Sequence, residues 1–472
     1  AKGAMGKAKR RRDLTQGPPD KRSTKHNCEP KKDGRHAVSM PQVAFRSTKI
    51  LLLGCVTVLY LPILVILFVL AAIMNGFRFA PLQTPDLNQV TRFIGYAIMC
   101  KEDIGVATRC DICLTIVQHT FYKCFTAGCF LFDEILYGRQ LNAVSVDEPL
   151  FVLSAYRSAS TEMARTLAKD TDQFICPTAI MCAFPYLWLW NLITWIGFEG
   201  FTKEELNRYL NKNIGEESLE RRGNANDHFA IDTFDGFFLS SHLNGLAFHL
   251  GAEVIIKEFN ASKFEEHNKE LFDEEFVKVV DRLARKTLYF NNGDLSIPNN
   301  KRFLLKGHFL SSAVALKMKY PSARFLTILR DPLERLKSAI NHTAVNSTIW
   351  LGQAPRWDWL STAFEQIELE YCKREMTWYN FFSEDDRRQC LAVTFNNFIN
   401  DFNGTMMYIY TSLLDGKIMP EFKAPPKTMK KYAVDKSLEE LGVNEEILRM
   451  QLAAYYVWMK KESSKFASKK RD

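Results

Sequence analysis

The sequence predicts an α/β fold, a central parallel sheet flanked by helices and preceded by one transmembrane helix. Three observations carry this. Short β-rich apolar runs recur at 150–153, 253–256, 302–305, 325–329 and 391–395. Segments of helical periodicity lie between them, for instance 274–286 and 362–379, and strands alternating with helices argue a parallel sheet covered on both faces. Upstream, residues 50–75 (ILLLGCVTVLYLPILVILFVLAAIMN) carry no charge. At about 1.5 Å per residue, that run spans a hydrocarbon core of roughly 30 Å.

Taken in order, residues 1–49 read as a disordered basic tail, polar and without apolar periodicity. They hold 14 Lys and Arg against 4 Asp and Glu, whereas the rest of the 472-residue chain carries 48 against 50. The basic excess is therefore confined to the tail, and a folded body near neutrality excludes nucleic acid as a partner. The positive-inside rule keeps this tail cytoplasmic and makes 50–75 a signal anchor of type II topology, with the bilayer as first partner. It lies too far from the start for a cleaved signal peptide. Residues 76–145 read as a connecting stem, and 146–472 as the folded domain.

Two further features agree with a body on the far side of the membrane. Glycosylation sequons occur at Asn260, Asn341, Asn346 and Asn403 and none precedes the span. Nine of the eleven cysteines also follow it, where disulfides are permitted. Cys110 and Cys113 are spaced like half a zinc site, but no second pair completes it, and no Asp/Glu/His cluster suggests a metal. A second apolar stretch, 180–198, is interrupted by Pro185 and Asn191 and is rich in Trp. It reads as buried or lying at the membrane interface, because a span there would separate two regions that build one site.

The first of those regions is SAYRSASTEMARTL, 154–167, directly after the run at 150–153. A strand, a tight turn of Arg157, Ser158, Ala159, Ser160 and Thr161, then a helix points free N–H groups at one spot. That is an anion site or, more blandly, a helix cap. The second region, YPSARFLTILRDPLERLKSAINH (320–342), runs strand into Arg330-Asp331-Pro332 and then helix, Pro332 fitting the first turn. Arg330 stands at the strand's end and Ser338 two turns along the helix. A third, FLLKGHFL, ends a strand with Lys306 and His308. Sheets of this class bind ligands at the carboxyl ends of their strands. A nucleoside-triphosphate kinase is the nearest rival, but no G-x-x-x-x-G-K-[ST] occurs.

From residue 151 to the C-terminus these segments resemble the sulfotransferases that use 3′-phosphoadenosine 5′-phosphosulfate (PAPS), in particular the membrane-bound Golgi-type carbohydrate and protein sulfotransferases. In that family a loop of the form Arg/Lys-Ser-Gly-Ser/Thr-Thr holds the 5′-phosphosulfate, and an Arg followed eight positions later by a Ser holds the 3′-phosphate. The resemblance implies that Arg157, Ser158, Ala159, Ser160, Thr161, Arg330 and Ser338 bind the donor, with no metal needed. It implies that His308, 22 positions before Arg330, deprotonates the acceptor, with Lys306 and Arg157 stabilising charge. Glu162 is the alternative base, since membrane-bound relatives often use Glu. Ala159 stands where Gly is usual and Tyr156 where Pro is frequent, and a methyl narrows the conformations open to the loop.

The resemblance further implies the P-loop-like sulfotransferase fold, Golgi localisation and a disulfide between Cys372 and Cys390. The acceptor stays open. A hydroxyl on a glycan or glycoprotein leads, followed by protein tyrosine or a lipid-linked sugar, and a catalytically degenerate membrane scaffold is the alternative from a different class. A homo-oligomer is compatible with all of these. His228, His242 and His249 read as acceptor-side structure.

Overall fold

The computed structural model describes residues 128–196, 230–232, 269–292, 301–351, 357–382, 386–424 and 436–469, with isolated positions upstream. Helix α1 covers residues 128–143. Strand β1 (Leu150–Leu153) leads through a loop into α2 (Ser160–Leu167), then β2 (Phe174–Ile175), α3 (Ala179–Ala183) and α4 (Leu187–Ile196). A long helix, α5 (Lys269–Asn292), precedes β3 (Arg302–Gly307), α6 (Ala313–Lys319) and β4 (Arg324–Leu329). Helices α7 (Pro332–Leu351) and α8 (Trp357–Phe381) follow, then β5 (Cys390–Thr394), α9 (Phe395–Asn400), α10 (Phe402–Ser412), α11 (Glu445–Gln451) and α12 (Ala453–Lys469).

Among the described residues, five strands form one sheet in the order β2-β3-β1-β4-β5. Every pairing is parallel, with Val152 opposite Lys306, Phe151 opposite Phe325 and Leu329 opposite Thr394. β1 and β4 are buried along their whole length, as strands covered on both faces must be. Successive side chains alternate between two cores, as the two-residue period of a strand requires. Phe151, Leu153, Phe303, Leu305 and Phe325 enter one, Leu150, Val152, Leu304, Leu326 and Ile328 the other. β1 lies at the centre, with β2 and β3 on one side and β4 and β5 on the other. That reversal of strand order opens a crevice at the carboxyl ends.

The strands expected at 150–153, 302–305, 325–329 and 391–395 and both helices are present within a residue or two at strand ends, and the helices are longer than expected. The strand expected at 253–256 lies outside the described residues. The two-residue β2 was not expected, being too short to leave a pattern. The body also begins before residue 146. Arg285 donates to the carbonyl of Val144 (2.7 Å), and Asp133 on α1 forms a buried ion pair with Lys286 on α5 (2.6 Å).

The stretch 180–198 is broken at Pro185 into two helices. Asp133 accepts from the N–H groups of Leu187 and Trp188 (2.8 and 2.9 Å), satisfying the start of α4. Trp190 packs on Phe290, while Trp195 is 83% exposed. Ten residues of helix extend about 15 Å, half of what a bilayer core needs. Among the described residues no helix is long and apolar enough to cross a membrane. The expected span, 50–75, lies outside them except at Pro62, Ile63, Val65, Ile66 and Val69, which are helical and exposed.

Candidate active site

Immediately after β1 the chain stops being regular. Ser154 Oγ accepts from the N–H of Ile328 (2.8 Å), and the Ala155 N–H donates to Glu375 Oε1 (2.8 Å). Arg157 and Ala159 then both adopt left-handed conformations, with φ of 64° and 67°. For residues bearing a Cβ this costs about 1–2 kcal/mol each. The turn leads from the carboxyl end of β1 straight into α2. Met163 is the first to find its helical acceptor, on Ala159 O (3.1 Å), and the N-cap residue Ala159 offers no side-chain bond. The N–H groups of Ser160, Thr161 and Glu162 thus have no acceptor within the helix, an arrangement suited to an anion.

At the end of β4, Asp331 caps α7 by accepting from the Leu333 N–H (2.9 Å), which leaves Arg330 free to turn inward. Its Nη1 donates to the carbonyl of Arg157 (2.8 Å), and its guanidinium stacks on Phe395, 4.6 Å from the ring centroid. The buried Nε has no hydrogen-bond partner, Glu334 being 3.6 Å away and largely exposed. Arg157 Nε donates to Ser338 Oγ (3.2 Å), so the two regions singled out in the sequence are joined directly. Burial, then the charge of Arg330, brings Arg157 down to about 10. Burial also holds Arg330 below its ordinary range despite Glu334. Each guanidinium is desolvated and has a second cation beside it, Arg330 for Arg157 and Arg335 for Arg330, and an anion at this site would relieve both.

β3 supplies the third part. Gly307 is required here, since a Cβ would lie 1.9 Å from the Phe309 ring. The bend sends His308 back over β1, where Nδ1 meets the carbonyl of Ser154 at 2.7 Å. A carbonyl only accepts, so Nδ1 carries the proton and Nε2 presents its lone pair. Lys306, only 2% exposed, places Nζ 3.2 Å from that Nε2. The Tyr156 ring stands edge-on to the imidazole with centroids 6.3 Å apart.

Several expected residues fall elsewhere. Ser158 is fully buried, its hydroxyl 3.4 Å from Arg335 Nη1, so it faces inward. Ser160 is buried at the helix start, while Thr161 and Glu162 are half-buried in the first turn of α2. Cys372 and Cys390 stand as separate thiols, correcting the expected disulfide. Cys372 is held between Arg335 on α7 (3.1 Å) and Glu368 on its own helix (3.5 Å), so its sulfur is engaged there. Asn341 is 1% exposed, and its amide is used by the carbonyls of Lys337 and Lys436 and the N–H of Lys436. That closes it to a glycan. Asn403 is exposed in the first turn of α10, Asn346 lies on α7, and Asn260, Cys110, Cys113, His228, His242 and His249 lie outside the described residues. Among the described residues no His, Cys, Asp and Glu grouping could hold a metal ion.

Sequence reasoning missed Arg335, Glu368, Glu375 and Tyr455, which form a buried network under the loop. It also missed the Ser154 carbonyl, a backbone group with no residue-type signal.

The Sulfotransferase family model matches residues 149–414, more than half of the chain and the part that holds every element of this crevice. No curated protein matches the sequence. Among solved structures, the chain is similar to the sulfotransferase STF1 from Mycobacterium tuberculosis H37Rv, with a TM-score of 0.52, 14% identity and coverage of 82% of this chain and 97% of that one. It is likewise similar to the sulfotransferase STF9 from Mycobacterium avium, with a TM-score of 0.51, 14% identity and coverage of 82% and 94%. At such identity the likeness speaks for the fold, while the family match reaches through the 154–161 loop, Lys306-x-His308 and Arg330 with Ser338. With its parallel sheet and that loop at the sheet's carboxyl edge, the chain belongs to the sulfotransferase family.

Proposed function

We propose that this sulfotransferase moves a sulfuryl group from PAPS to an acceptor hydroxyl on a glycan, as a single-pass type II protein of the Golgi membrane. The observation that carries the donor assignment is the half-buried pair Arg157 and Arg330, joined to Ser338, with the buried Arg330 Nε unpartnered. Such a pair suits a ligand with two anionic ends, and PAPS has a 3′-phosphate and a 5′-phosphosulfate.

The donor supplies the labile sulfate–phosphate linkage; the chain supplies positions and charge. Arg330 and Ser338 hold the 3′-phosphate. The first N–H groups of α2, with Arg157 and Lys306, hold the phosphosulfate and stabilise charge growing on the leaving oxygen. His308, its proton fixed on Nδ1 by Ser154, takes the acceptor's proton at Nε2. Sulfuryl transfer resembles phosphoryl transfer, so in-line positioning and electrostatics dominate. The charge-free run 50–75, with exposed helical Ile63, Val65, Ile66 and Val69, supports the anchor. The basic tail and the sequons at Asn260 and Asn403 support a lumenal body and a glycan-handling compartment.

The test is calorimetric titration of the full chain with 3′-phosphoadenosine 5′-phosphate. A charge-assisted hydrogen bond contributes roughly 1.5–3 kcal/mol, so Arg330→Ala weakens binding at least about tenfold. Unchanged affinity overturns the donor site. Labelled donor offered with glycans and tyrosine peptides then reads the acceptor, and binding without turnover on any of them marks a scaffold.

A further inference from the structure

Fully buried charges lie directly beneath the 154–161 loop. Arg335 on α7 has no exposed surface. Its Nε donates to Glu368 Oε1 (2.7 Å) and its Nη1 to Glu375 Oε2 (3.0 Å), both carboxylates being on α8. The Tyr455 hydroxyl, on α12, donates to the same Glu375 Oε2 (2.8 Å), and its ring centroid lies 5.6 Å from the guanidinium carbon. The other Glu375 oxygen accepts the Ala155 N–H (2.8 Å), and Arg335 Nη1 also reaches Ser158 Oγ (3.4 Å). One carboxylate therefore grips the entry to the loop. One guanidinium meets the hydroxyl that sits between the two left-handed residues.

Burying an ion cluster contributes little to net stability, because well-packed apolar groups often replace one without loss. Its position is more informative. A loop with Arg157 and Ala159 both at positive φ persists only where the surroundings over-determine it. Glu375 holds the Ala155 amide and Arg335 meets the Ser158 hydroxyl, beside Arg330 on the Arg157 carbonyl, Ser338 on the Arg157 side chain and the rings of His308, Phe364 and Tyr371 around Tyr156.

We propose that Arg335 and Glu375 are positioning residues for the anion-binding loop, setting the direction of its N–H groups and of Arg157 without themselves touching the donor. The proposal rests on the donor reading above. It also makes the last helix part of the donor site, since Tyr455 holds Glu375 in place.

The test compares two breaks of fully buried ion pairs in the full chain. Glu375→Gln removes the charge facing Arg335 under the loop. Asp133→Asn does the same to the Lys286 pair between α1 and α5, remote from the loop. Both lower the melting temperature. Only Glu375→Gln is expected to weaken binding of 3′-phosphoadenosine 5′-phosphate, by about tenfold, to raise the donor KM with the acceptor KM unchanged, and to speed hydrogen exchange at the Ala155 amide. Tyr455→Phe, which deletes a single hydroxyl, is expected to give a three- to tenfold loss in the same direction and serves if Glu375→Gln does not fold. Equal bisphosphate affinity across these variants, with Ala155 exchange no faster than in Asp133→Asn, overturns the assignment. Failure of the wild-type chain to bind the bisphosphate overturns the donor reading instead, and Ala155 exchange then decides the positioning role alone.

Discussion

Replacing His308 by Ala is the sharpest perturbation of the proposed chemistry. The side chain bonds a backbone carbonyl, Nδ1 on Ser154 O at 2.7 Å, and Nε2 lies 3.2 Å from Lys306 Nζ. General-base catalysis contributes about 10²–10⁴ in rate, or roughly 3–5 kcal/mol at 1.36 kcal/mol per decade. The substitution has a second effect, because Lys306 is nearly fully buried and loses the imidazole as an acceptor. A hydrogen bond from a charged group contributes about 1.5–3 kcal/mol, so the alanine variant also melts at a lower temperature. Rates must therefore be expressed per binding-competent site, counted by titration with the bisphosphate product. On that basis single-turnover sulfuryl transfer should fall by 10²–10⁴, with bisphosphate affinity within about threefold, since His308 is outside the guanidinium pair. Added imidazole should restore part of the rate by filling the space left over Ser154. A variant within tenfold of the wild-type rate, with no imidazole effect, refutes His308 as the base and turns attention to Glu162.

Two other outcomes follow from the geometry. Ala159→Gly relieves a left-handed alanine (φ 67°), a gain of about 1–2 kcal/mol offset by about 0.5–1 kcal/mol of glycine chain entropy; thermal unfolding should show a small rise with donor affinity retained, and a fall shows that the loop is not strained there. In acid, Glu148 and Asp415 lose stabilising charge. Burial pushes Glu148 up, but its bond to Arg302 and the charge of Arg324 outweigh this, while Arg324 chiefly pulls Asp415 down. Both folded carboxyls therefore titrate below their unfolded values, so their contribution is present above about pH 4 and disappears as pH falls through the folded values. Urea midpoints of Glu148→Gln and Asp415→Asn should lie below wild type at pH 7 and converge on it as pH falls through the lowered folded values. Parallel curves refute the pairing. Both groups are substantially exposed, so the effect is small.

By itself the sequence determined the sheet and the reactive ends of its strands. β1, β3, β4 and β5 were legible because strands buried on both faces read as continuous apolar runs. Lys306 with His308, and Arg330 with Ser338, were legible because each pair lies within one strand end or one strand–helix turn, where spacing is geometry. The loop at 157–161 was legible as either an anion site or a helix cap, but not the left-handed backbone at Arg157 and Ala159. Tertiary structure alone decided the rest. It brought Ala155 to Glu375 across 220 residues and Arg335 to Glu375 across 40, and it turned Ser158 inward. It buried Asn341, kept Cys372 and Cys390 apart, and let the Ser154 carbonyl choose which nitrogen of His308 holds the proton. The physical reason is common to these cases. A residue's partners across the chain depend on how helices pack against the sheet, and side-chain type records that a group can bond or pair but not with what.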